Sequence, residues 1–403
     1  MPSRTPDHPK AVIPRSVWGF GINSFFMEIS NNLIHGVLPI YLLTALKLSI
    51  SQIGIIEGIA EATNSVMKAS SGALSDRMGK RKPLTVLGYG LTTLARVFYP
   101  FAGTYGQVTA VRFVERFGVG TRSSTRDALI ADVTPAHSIG ASFGLRQTCD
   151  KVGAIVGPLL ATYLMLTLDK DYQTIFGLAV IPSVVAFFII VFMVHDAPKP
   201  VGAVPEKKLH FTEMGRLGAP LWWFIILAFF LHLSMFSDAF MLLRGSGLGI
   251  EAAYIPMIVV AQSSVQAVIS YPFGRLSDEI GRPKLVGAGL VTMVIAHVVM
   301  ALADTSMWVI AGAMIWGVYR ATTRGLLLAM VADLAPARLR GTAYGLFHLL
   351  NGVALLVANG LGGWLWQAYG AELMYTIGAV VSGFSFLCYL VWVRFYGSVL
   401  TRN

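Results

Sequence analysis

Charged residues are scarce in this chain. Only 13% of its 403 residues are Asp, Glu, Lys or Arg, whereas 55% are hydrophobic. This charged share is about half that of a typical soluble domain. A water-soluble fold of this length would have too few charged side chains to cover its surface, so the composition excludes that class.

Residues that usually carry metal or covalent chemistry are few as well. The two cysteines, Cys149 and Cys388, lie far apart in apolar segments, which predicts neither a disulfide framework nor a cysteine-based metal site. The histidines lack the close spacing of metal ligands. A phosphate-binding glycine loop and a catalytic-triad signature are also missing from the sequence. We therefore expect no metal, no bound cofactor and no enzyme.

Long apolar runs are what the sequence has instead. Residues 172–194, 252–274 and 373–393 contain no Asp, Glu, Lys or Arg. About 20 helical residues cross a hydrocarbon core of about 30 Å, in which only helices or closed barrels satisfy the backbone. The runs lack the alternation of barrel strands, so we predict an all-α membrane protein. Its twelve predicted transmembrane helices begin near residues 17, 52, 84, 106, 142, 172, 219, 250, 284, 307, 341 and 373.

Basic residues fall almost entirely on one side of these predicted spans. The net charge is +10, yet only Lys47, Lys170 and Arg244 lie in loops on the opposite side. Because short loops rich in Lys and Arg face the cytoplasm, we predict that both termini are cytoplasmic and that nucleic acid is not a partner. The first 15 residues have no apolar core before a cleavage site, so we interpret them as a tail rather than a signal peptide.

The sequence repeats itself about halfway along. Residues 72–80 return 202 positions later, and residues 131–136 return 201 positions later. Because each copy has an even number of spans, the two are related by an axis along the membrane normal. We predict a cytoplasmic tail at 1–16, a six-helix bundle at 17–195, a cytoplasmic linker at 196–218, a second six-helix bundle at 219–395 and a cytoplasmic tail at 396–403.

Polar residues inside the predicted spans recur every third helix. Spans three, six, nine and twelve are nearly bare, with Arg96 and His297 as their ionisable residues. Ionisable groups inside a membrane are costly unless they face a bundle interior or a wet cavity. One helix in three is therefore expected to face a central cavity, and one in three to face lipid. The candidate cavity residues are Asn31, Asn32, His35, His232, Trp316, Arg320 and Arg324.

The segment from Gly72 to Leu84 resembles the signature loop between spans two and three of the major facilitator superfamily. The resemblance implies two pseudo-symmetric six-helix bundles, alternating access, a small-molecule substrate and a monomer in the lipid bilayer of a bacterial inner (plasma) membrane. It also implies that the loop is a latch for the outward-facing state. The candidate latch residues are Gly72, Asp76, Arg77, Gly79, Lys80, Arg126, Asp278, Gly281 and Arg282.

A second stretch resembles the span-five motif of the superfamily's antiporters and exporters. It consists of Gly144, Gly153, Gly157 and Pro158, although Ala161 and Thr162 stand where that pattern has a pair of glycines. Two glycines on one helix face let a partner backbone approach closely. The resemblance implies export, whereas small-residue packing without directional meaning is the alternative.

Carboxylates and arginines within the spans are candidates for proton coupling. They are Glu28, Glu57, Glu61, Arg112, Glu115, Arg116 and Asp238. Glu57 and Glu61 lie one helical turn apart, an arrangement that can hold one shared proton. A structural ion-pair network is the alternative. Arg112 and Arg116 are both candidates for the superfamily's span-four arginine, and Arg146 is expected to pair with Asp150 one turn away.

The most consistent function is secondary active transport. We expect proton-coupled export, by antiport, of a small solute such as a drug, a metabolite or a metal chelate. The first alternative is a solute importer working by proton symport or uniport. A membrane sensor or membrane-embedded enzyme is less consistent, because no soluble output domain or converging catalytic set is visible.

Overall fold

The computed structural model describes residues 13–78, 80–135, 138–196, 215, 217–336 and 339–400. These residues form fourteen α-helices and no strand, so the all-α prediction is confirmed for them. In chain order the helices are α1 (Arg15–His35), α2 (Leu38–Thr44), α3 (Ile50–Met78), α4 (Lys82–Phe98), α5 (Tyr105–Val133), α6 (Ile139–Thr167), α7 (Tyr172–Met193), α8 (Ala219–His232), α9 (Asp238–Gly247), α10 (Pro256–Ile280), α11 (Arg282–Leu302), α12 (Ser306–Leu334), α13 (Arg340–Tyr369) and α14 (Ala371–Leu400).

Two of the predicted spans are interrupted. The first consists of α1 and α2, and the seventh consists of α8 and α9. Pro39 occupies the first turn of α2, where its missing N–H costs no helical hydrogen bond. Ser237 caps α9 by accepting a hydrogen bond from the backbone N–H of Ala239 (3.3 Å). The sequence analysis predicted one continuous span in each of these two places.

The predicted domain boundaries are covered only in part. Helix α14 continues to Leu400, past the boundary predicted at 395. Residues 197–214 and 216 of the linker predicted at 196–218, and the terminal segments at 1–12 and 401–403, lie outside the described residues. The division into two bundles and the count of twelve spans remain predictions.

Six described helical segments are long and apolar enough to cross a membrane on length and composition alone. They are Ile139–Thr167, Tyr172–Met193, Ala252–Ser270, Arg282–Leu302, Arg340–Tyr369 and Ala371–Gly397. Helices α3 and α5 are equally long but carry several Asp, Glu, Lys and Arg residues. Several of those charged side chains, such as Glu57, Glu61 and Arg112, line a cavity between the helices, and hydropathy alone misses these helices for that reason.

The two halves of the chain meet mainly through α3 against α13 and α6 against α10. Gly54 on α3 permits the closest approach. A Cβ added there would lie 2.4 Å from the carbonyl oxygen of Asn359 and 2.9 Å from the Cα of Gly363. A side chain of any size would therefore push the halves apart.

The span-five glycines have different surroundings. A Cβ at Gly153 would lie 2.5 Å from the carbonyl oxygen of Phe25, and one at Gly157 would lie 2.8 Å from the Cβ of Asn32. Both contacts join α6 to α1 within the first half. No atom of the described residues lies within 4 Å of a Cβ added at Gly144, so this glycine takes no part in the packing of α6 against α1.

We expect Gly153→Ala to destabilise the protein by about 1–3 kcal/mol, because α1 and α6 would have to separate. Gly144→Ala is the matched control on the same helix. It should be neutral or stabilising by about 0.5–1 kcal/mol, because alanine suits a helix interior better than glycine. Thermal unfolding of both variants in detergent measures the difference. Equal midpoints would show that α1 and α6 do not pack as closely as described.

Candidate functional site

A cavity of about 1830 Å³ lies between the two halves. Helices α1, α2, α3, α5 and α6 line it from the first half, and α8, α9, α10, α12 and α13 line it from the second. In the described part of the chain, α4, α7, α11 and α14 contribute nothing to the lining. They expose large apolar side chains instead, such as Phe188 and Phe384.

The predicted division into cavity-facing and lipid-facing helices therefore needs one correction. The bare spans do lie outside the cavity, but its wall is made by two helices in three rather than one. Spans two, five, eight and eleven complete the wall, because each turns one polar face inward. On span two this face includes Glu57, Glu61 and Lys68.

The described lining reaches one end of the helices. It includes Gly72, Arg126 and Arg340 at that end. At the other end α2 packs against α9, and Lys170 pairs with Glu251 across the halves (Nζ to Oε1, 3.2 Å). The cavity is therefore a vestibule that is closed at one end.

A buried ion pair lies at the inner end of this vestibule. The guanidinium of Arg112 on α5 donates from Nη2 to both carboxylate oxygens of Glu57 on α3, at 2.7 and 2.8 Å. The two side chains are only 3% and 4% exposed. Buried charges are tolerated when they are paired and hydrogen-bonded, and this bidentate geometry satisfies both groups.

Glu115 extends the cluster one turn along α5. Its carboxylate accepts hydrogen bonds from Arg112 (3.2 Å), Arg96 (3.3 Å) and the hydroxyl of Tyr99 (2.7 Å). His35 Nε2 lies 3.1 Å from the same carboxylate. Arg96 belongs to a span that was expected to face lipid, yet its side chain is fully buried and points into the bundle.

The cluster also reaches the second half of the chain. The hydroxyl of Ser237 donates to Glu57 Oε2 (2.8 Å), and the backbone N–H of Ser237 donates to Asn359 Oδ1 (2.7 Å). Ser237 lies at the break between α8 and α9. An ion pair of the first half is thereby hydrogen-bonded to the interrupted helix of the second half.

Glu57 and Glu61 pair with different arginines among the described residues. Glu61 pairs with Arg116 (3.3 Å) and accepts from Asn64 (3.4 Å), whereas Glu57 pairs with Arg112. Each carboxylate thus has its own arginine, which removes the repulsion on which a shared proton would depend. The two arginines also differ in burial, because the side chain of Arg112 is 3% exposed and that of Arg116 is 17% exposed.

Glu28 is the exception among the acidic residues that line the cavity. Its carboxylate accepts hydrogen bonds from the amides of Asn32 (3.2 Å) and Asn31 (3.5 Å). Within the described residues it has no ion pair. Four charged residues are close enough to interact with it electrostatically: Asp150, which carries the same charge, and Arg122, Lys151 and Arg96, which carry the opposite charge.

The cavity wall of the second half carries fewer charges. Asp238 pairs with Arg320 at 2.5 Å. Trp316 packs its ring edge-to-face against His297, with centroids 5.3 Å apart. The predicted cavity residues that line the vestibule are Asn31, Asn32, His35, His232, Trp316 and Arg320. The side chain of Arg324 lies outside the described residues.

Ion pairs at the open end repeat in the two halves. Arg81 pairs with Asp132 (2.5 Å) in the first half, and Arg282 pairs with Asp333 in the second. Each residue of the second pair lies 201 positions after its counterpart in the first. Each pair ties the start of one helix to the end of the next, α4 to α5 and α11 to α12. Arg282 therefore corresponds to Arg81 rather than to Lys80, with which the sequence repeat had aligned it.

The remaining latch candidates are only partly described. Arg126 pairs with its neighbour Asp127 (2.9 Å), and Lys80 is exposed. Gly281 has φ +89°, which favours glycine. Arg146 and Asp150 pair at 3.7 Å as expected. Gly79 and the side chains of Asp76, Arg77 and Asp278 lie outside the described residues.

Comparisons with known proteins point to one family. The profile described as "Major Facilitator Superfamily" matches residues 20–260 and 239–399. An uncharacterized MFS-type transporter of Methanocaldococcus jannaschii is 28% identical over 379 residues, covering 92% of this chain and 93% of that protein. The quinolone resistance protein NorA of Staphylococcus aureus is 24% identical over 177 residues, 44% of each chain.

Solved structures share the fold at low sequence identity. The crystal structure of a mutant of the nucleoside transporter NupG superposes with a TM-score of 0.77 at 12% identity, covering 93% of this chain and 99% of that one. The crystal structure of a D-xylose-proton symporter gives 0.74 at 15% identity, covering 93% and 96%.

Proposed function

The chain belongs to the major facilitator superfamily, and on that premise we propose that it moves a small solute across the membrane by alternating access, driven by protons. Membership makes it a transporter with a multi-pass membrane fold rather than an enzyme. In such folds the two bundles rock about a midplane site between them. The vestibule, closed at one end and lined by both halves, is the shape that this cycle requires of one of its states.

We assign the proton to Glu28, and this residue carries the proposal. A proton carrier must be able to change its charge without losing strong partners. Glu57, Glu61 and Asp238 are each paired with an arginine, and protonation would break that pair. Among the described residues Glu28 has only amide hydrogen-bond partners, which can remain hydrogen-bonded to a neutral carboxyl group.

The Arg112–Glu57–Ser237 chain is the proposed link between proton binding and rocking. It crosses between the halves, so it must break or re-form when they separate. Arg112, the buried arginine that also binds Glu115, is our choice for the span-four motif residue.

The open end is proposed to face the cytoplasm. Lys80, Arg81, Arg282 and Arg340 cluster there, as the positive-inside rule requires of a cytoplasmic face. Both termini would then be cytoplasmic, and the structure would correspond to an inward-facing state in a bacterial inner membrane. The latch at Asp76 stays a prediction for the opposite state, with a monomer as the working unit.

Export by antiport is the preferred mode. It is supported by the span-five motif, whose Gly153 and Gly157 pack against α1 beside Glu28, and by the partial similarity to NorA. Symport is the second candidate, because one observation favours it. Arg122 lies near Glu28, so an acidic solute on Arg122 would repel an ionised Glu28 and bind together with a proton instead.

The two modes can be separated in proteoliposomes. A thermal-shift screen of the purified protein first identifies a ligand. That ligand is then added outside vesicles that contain the pH dye pyranine. Antiport exchanges the entering ligand for protons, so the internal pH should rise, whereas symport should lower it. A ligand that enters without any pH change would refute proton coupling, and empty liposomes are the control.

A further inference from the structure

Positive charge predominates in the vestibule. The described lining contains nine Lys and Arg side chains and six Asp and Glu side chains. Five of the six carboxylates are ion-paired with an arginine. A cavity with low-dielectric walls concentrates the field of its uncompensated charges, so the imbalance favours a negatively charged occupant.

Arg122 on α5 is a buried cation in the wall of the vestibule. It lines the vestibule and is only 7% exposed. Its guanidinium lies over the ring of Tyr89, 4.5 Å from the centroid, and the described residues offer its Nε no hydrogen-bond acceptor. Within the described residues it forms no ion pair. A buried guanidinium in this state costs free energy unless an acceptor from outside the protein completes it.

Asn351 on α13 presents the complementary feature from the second half. Its side chain is 4% exposed and lines the same vestibule, and its Oδ1 accepts no hydrogen bond from the described residues. Gln266 and Ser270 on α10 continue this uncharged polar wall. An acceptor on this side suits a hydroxyl, amine or amide N–H of an occupant.

We infer that the transported solute is an organic anion that also carries a hydrogen-bond donor. Its carboxylate or similar anionic group binds the guanidinium of Arg122, whose planar fork matches such a group. Lys151 adds positive potential nearby, and Asn351 accepts a hydrogen bond from the body of the solute. This inference rests on the proposed transport function, and of the two coupling modes it favours symport, since the anion and a proton on Glu28 bind together.

Two matched sets of probes test the charge preference. Glucuronate, glucose and glucosamine share a pyranose ring but differ in charge. The compounds 4-hydroxybenzoate, 4-hydroxybenzamide and 4-hydroxybenzylamine share a phenol ring and likewise differ in charge. Thermal unfolding and calorimetric titration of the purified full-length protein at low salt measure binding. We expect the anion of at least one set to bind, and its neutral and cationic relatives to bind at least about tenfold more weakly.

Substitutions then locate the site. Arg122→Gln should weaken anion binding by at least about tenfold, and Arg122→Lys by less, because the lysine keeps the charge but loses the forked donors. Lys151→Gln should weaken it by a smaller factor. Lys284→Gln removes an exposed positive charge outside the vestibule and should leave affinity unchanged. If Arg122→Gln does not fold, the affinities of Arg122→Lys and Lys151→Gln for the anion still test whether it binds at this site.

The outcomes separate this inference from the transport proposal. Anion binding that depends on Arg122, without proton-linked flux in the pyranine assay, keeps the solute class and refutes proton coupling. Proton-linked flux of a neutral or cationic probe refutes the solute class and keeps coupling. Equal affinity across the three charges, the absence of binding by both anions, or unchanged affinity in Arg122→Gln would each overturn the inference.

Discussion

Replacing Arg112 by alanine should destabilise the protein by about 3–5 kcal/mol, because it leaves a buried carboxylate without its partner. Arg112 is the ion-pair partner of Glu57, and the two side chains are almost completely buried. Glu115 keeps Arg96 and Tyr99, so the loss falls mainly on Glu57. The loss should be smaller at low pH, where protonation removes the uncompensated charge. Thermal unfolding in detergent across a pH series measures both effects.

Arg116→Ala is the matched control for this experiment. Its pair with Glu61 is partly exposed, at 17% and 25% for the two side chains. Such pairs contribute about 0–1 kcal/mol. The double variant Glu57→Gln with Arg112→Gln should recover part of the lost stability, because no unpaired charge remains. If Arg112→Ala is no worse than Arg116→Ala, the Glu57–Arg112 pair is not the buried anchor described above.

Glu28→Gln should abolish accumulation of solute against a gradient yet leave exchange of solute across the membrane intact. Glutamine keeps the hydrogen bonds with Asn31 and Asn32 but cannot release a proton. The cycle would then run with bound solute and without proton exchange. Uptake of a labelled ligand into proteoliposomes, under a pH gradient and in counterflow without one, measures the two activities separately.

The other acidic candidates are the controls for this variant. Glu61→Gln and Asp238→Asn alter single ion pairs that line the vestibule and should reduce transport without uncoupling it. Glu57→Gln loses the link to Ser237 and should slow both activities together. If all four single replacements, at Glu28, Glu57, Glu61 and Asp238, still drive uphill transport, the protein is not coupled through these carboxylates.

Helix positions could be predicted from the sequence because the membrane imposes a strong, local constraint. Apolar runs of spanning length mark six of the described helical segments, and α7 and α8 begin at the residues predicted. The repeat at 201–202 positions located corresponding loops in the two halves. Neither argument depends on how the helices turn about their axes.

Pairings between helices could not be predicted for that reason. Glu57 and Glu61 lie on one face of α3, and the sequence does not say which arginine of α5 each one meets. The answer depends on the rotation of α5, which Gly120 sets by packing against the backbone of Asn64. Ser237 and Asn359 carried no signal, because neither is charged and hydropathy treats both as ordinary polar residues.

One missed residue did leave a signal in the repeat. Arg96 and His297 are 201 positions apart, as are Glu115 and Trp316. Arg96 meets Glu115 in the first half as an ion pair, and His297 meets Trp316 in the second as an aromatic contact. Arg96 and His297 are both buried, and each meets a residue of the following span although its own span was expected to face lipid.

Alternating access requires the two ends of the vestibule to open in turn, and distances between spin labels at each end measure this. In a variant without Cys149 and Cys388, one pair of labels at Ser123 and Leu328 reports the open end, where α5 and α12 face each other across the vestibule. A second pair at Lys170 and Glu251 reports the closed end. Double electron–electron resonance is recorded with and without a saturating ligand, at neutral and acidic pH.

We predict that the two distances change in opposite directions. As the distance between labels at Ser123 and Leu328 shortens, that between labels at Lys170 and Glu251 should lengthen, because closing one end of the vestibule opens the other. Distances that shorten together, or that stay fixed at both ends when ligand saturates the protein, would contradict alternating access.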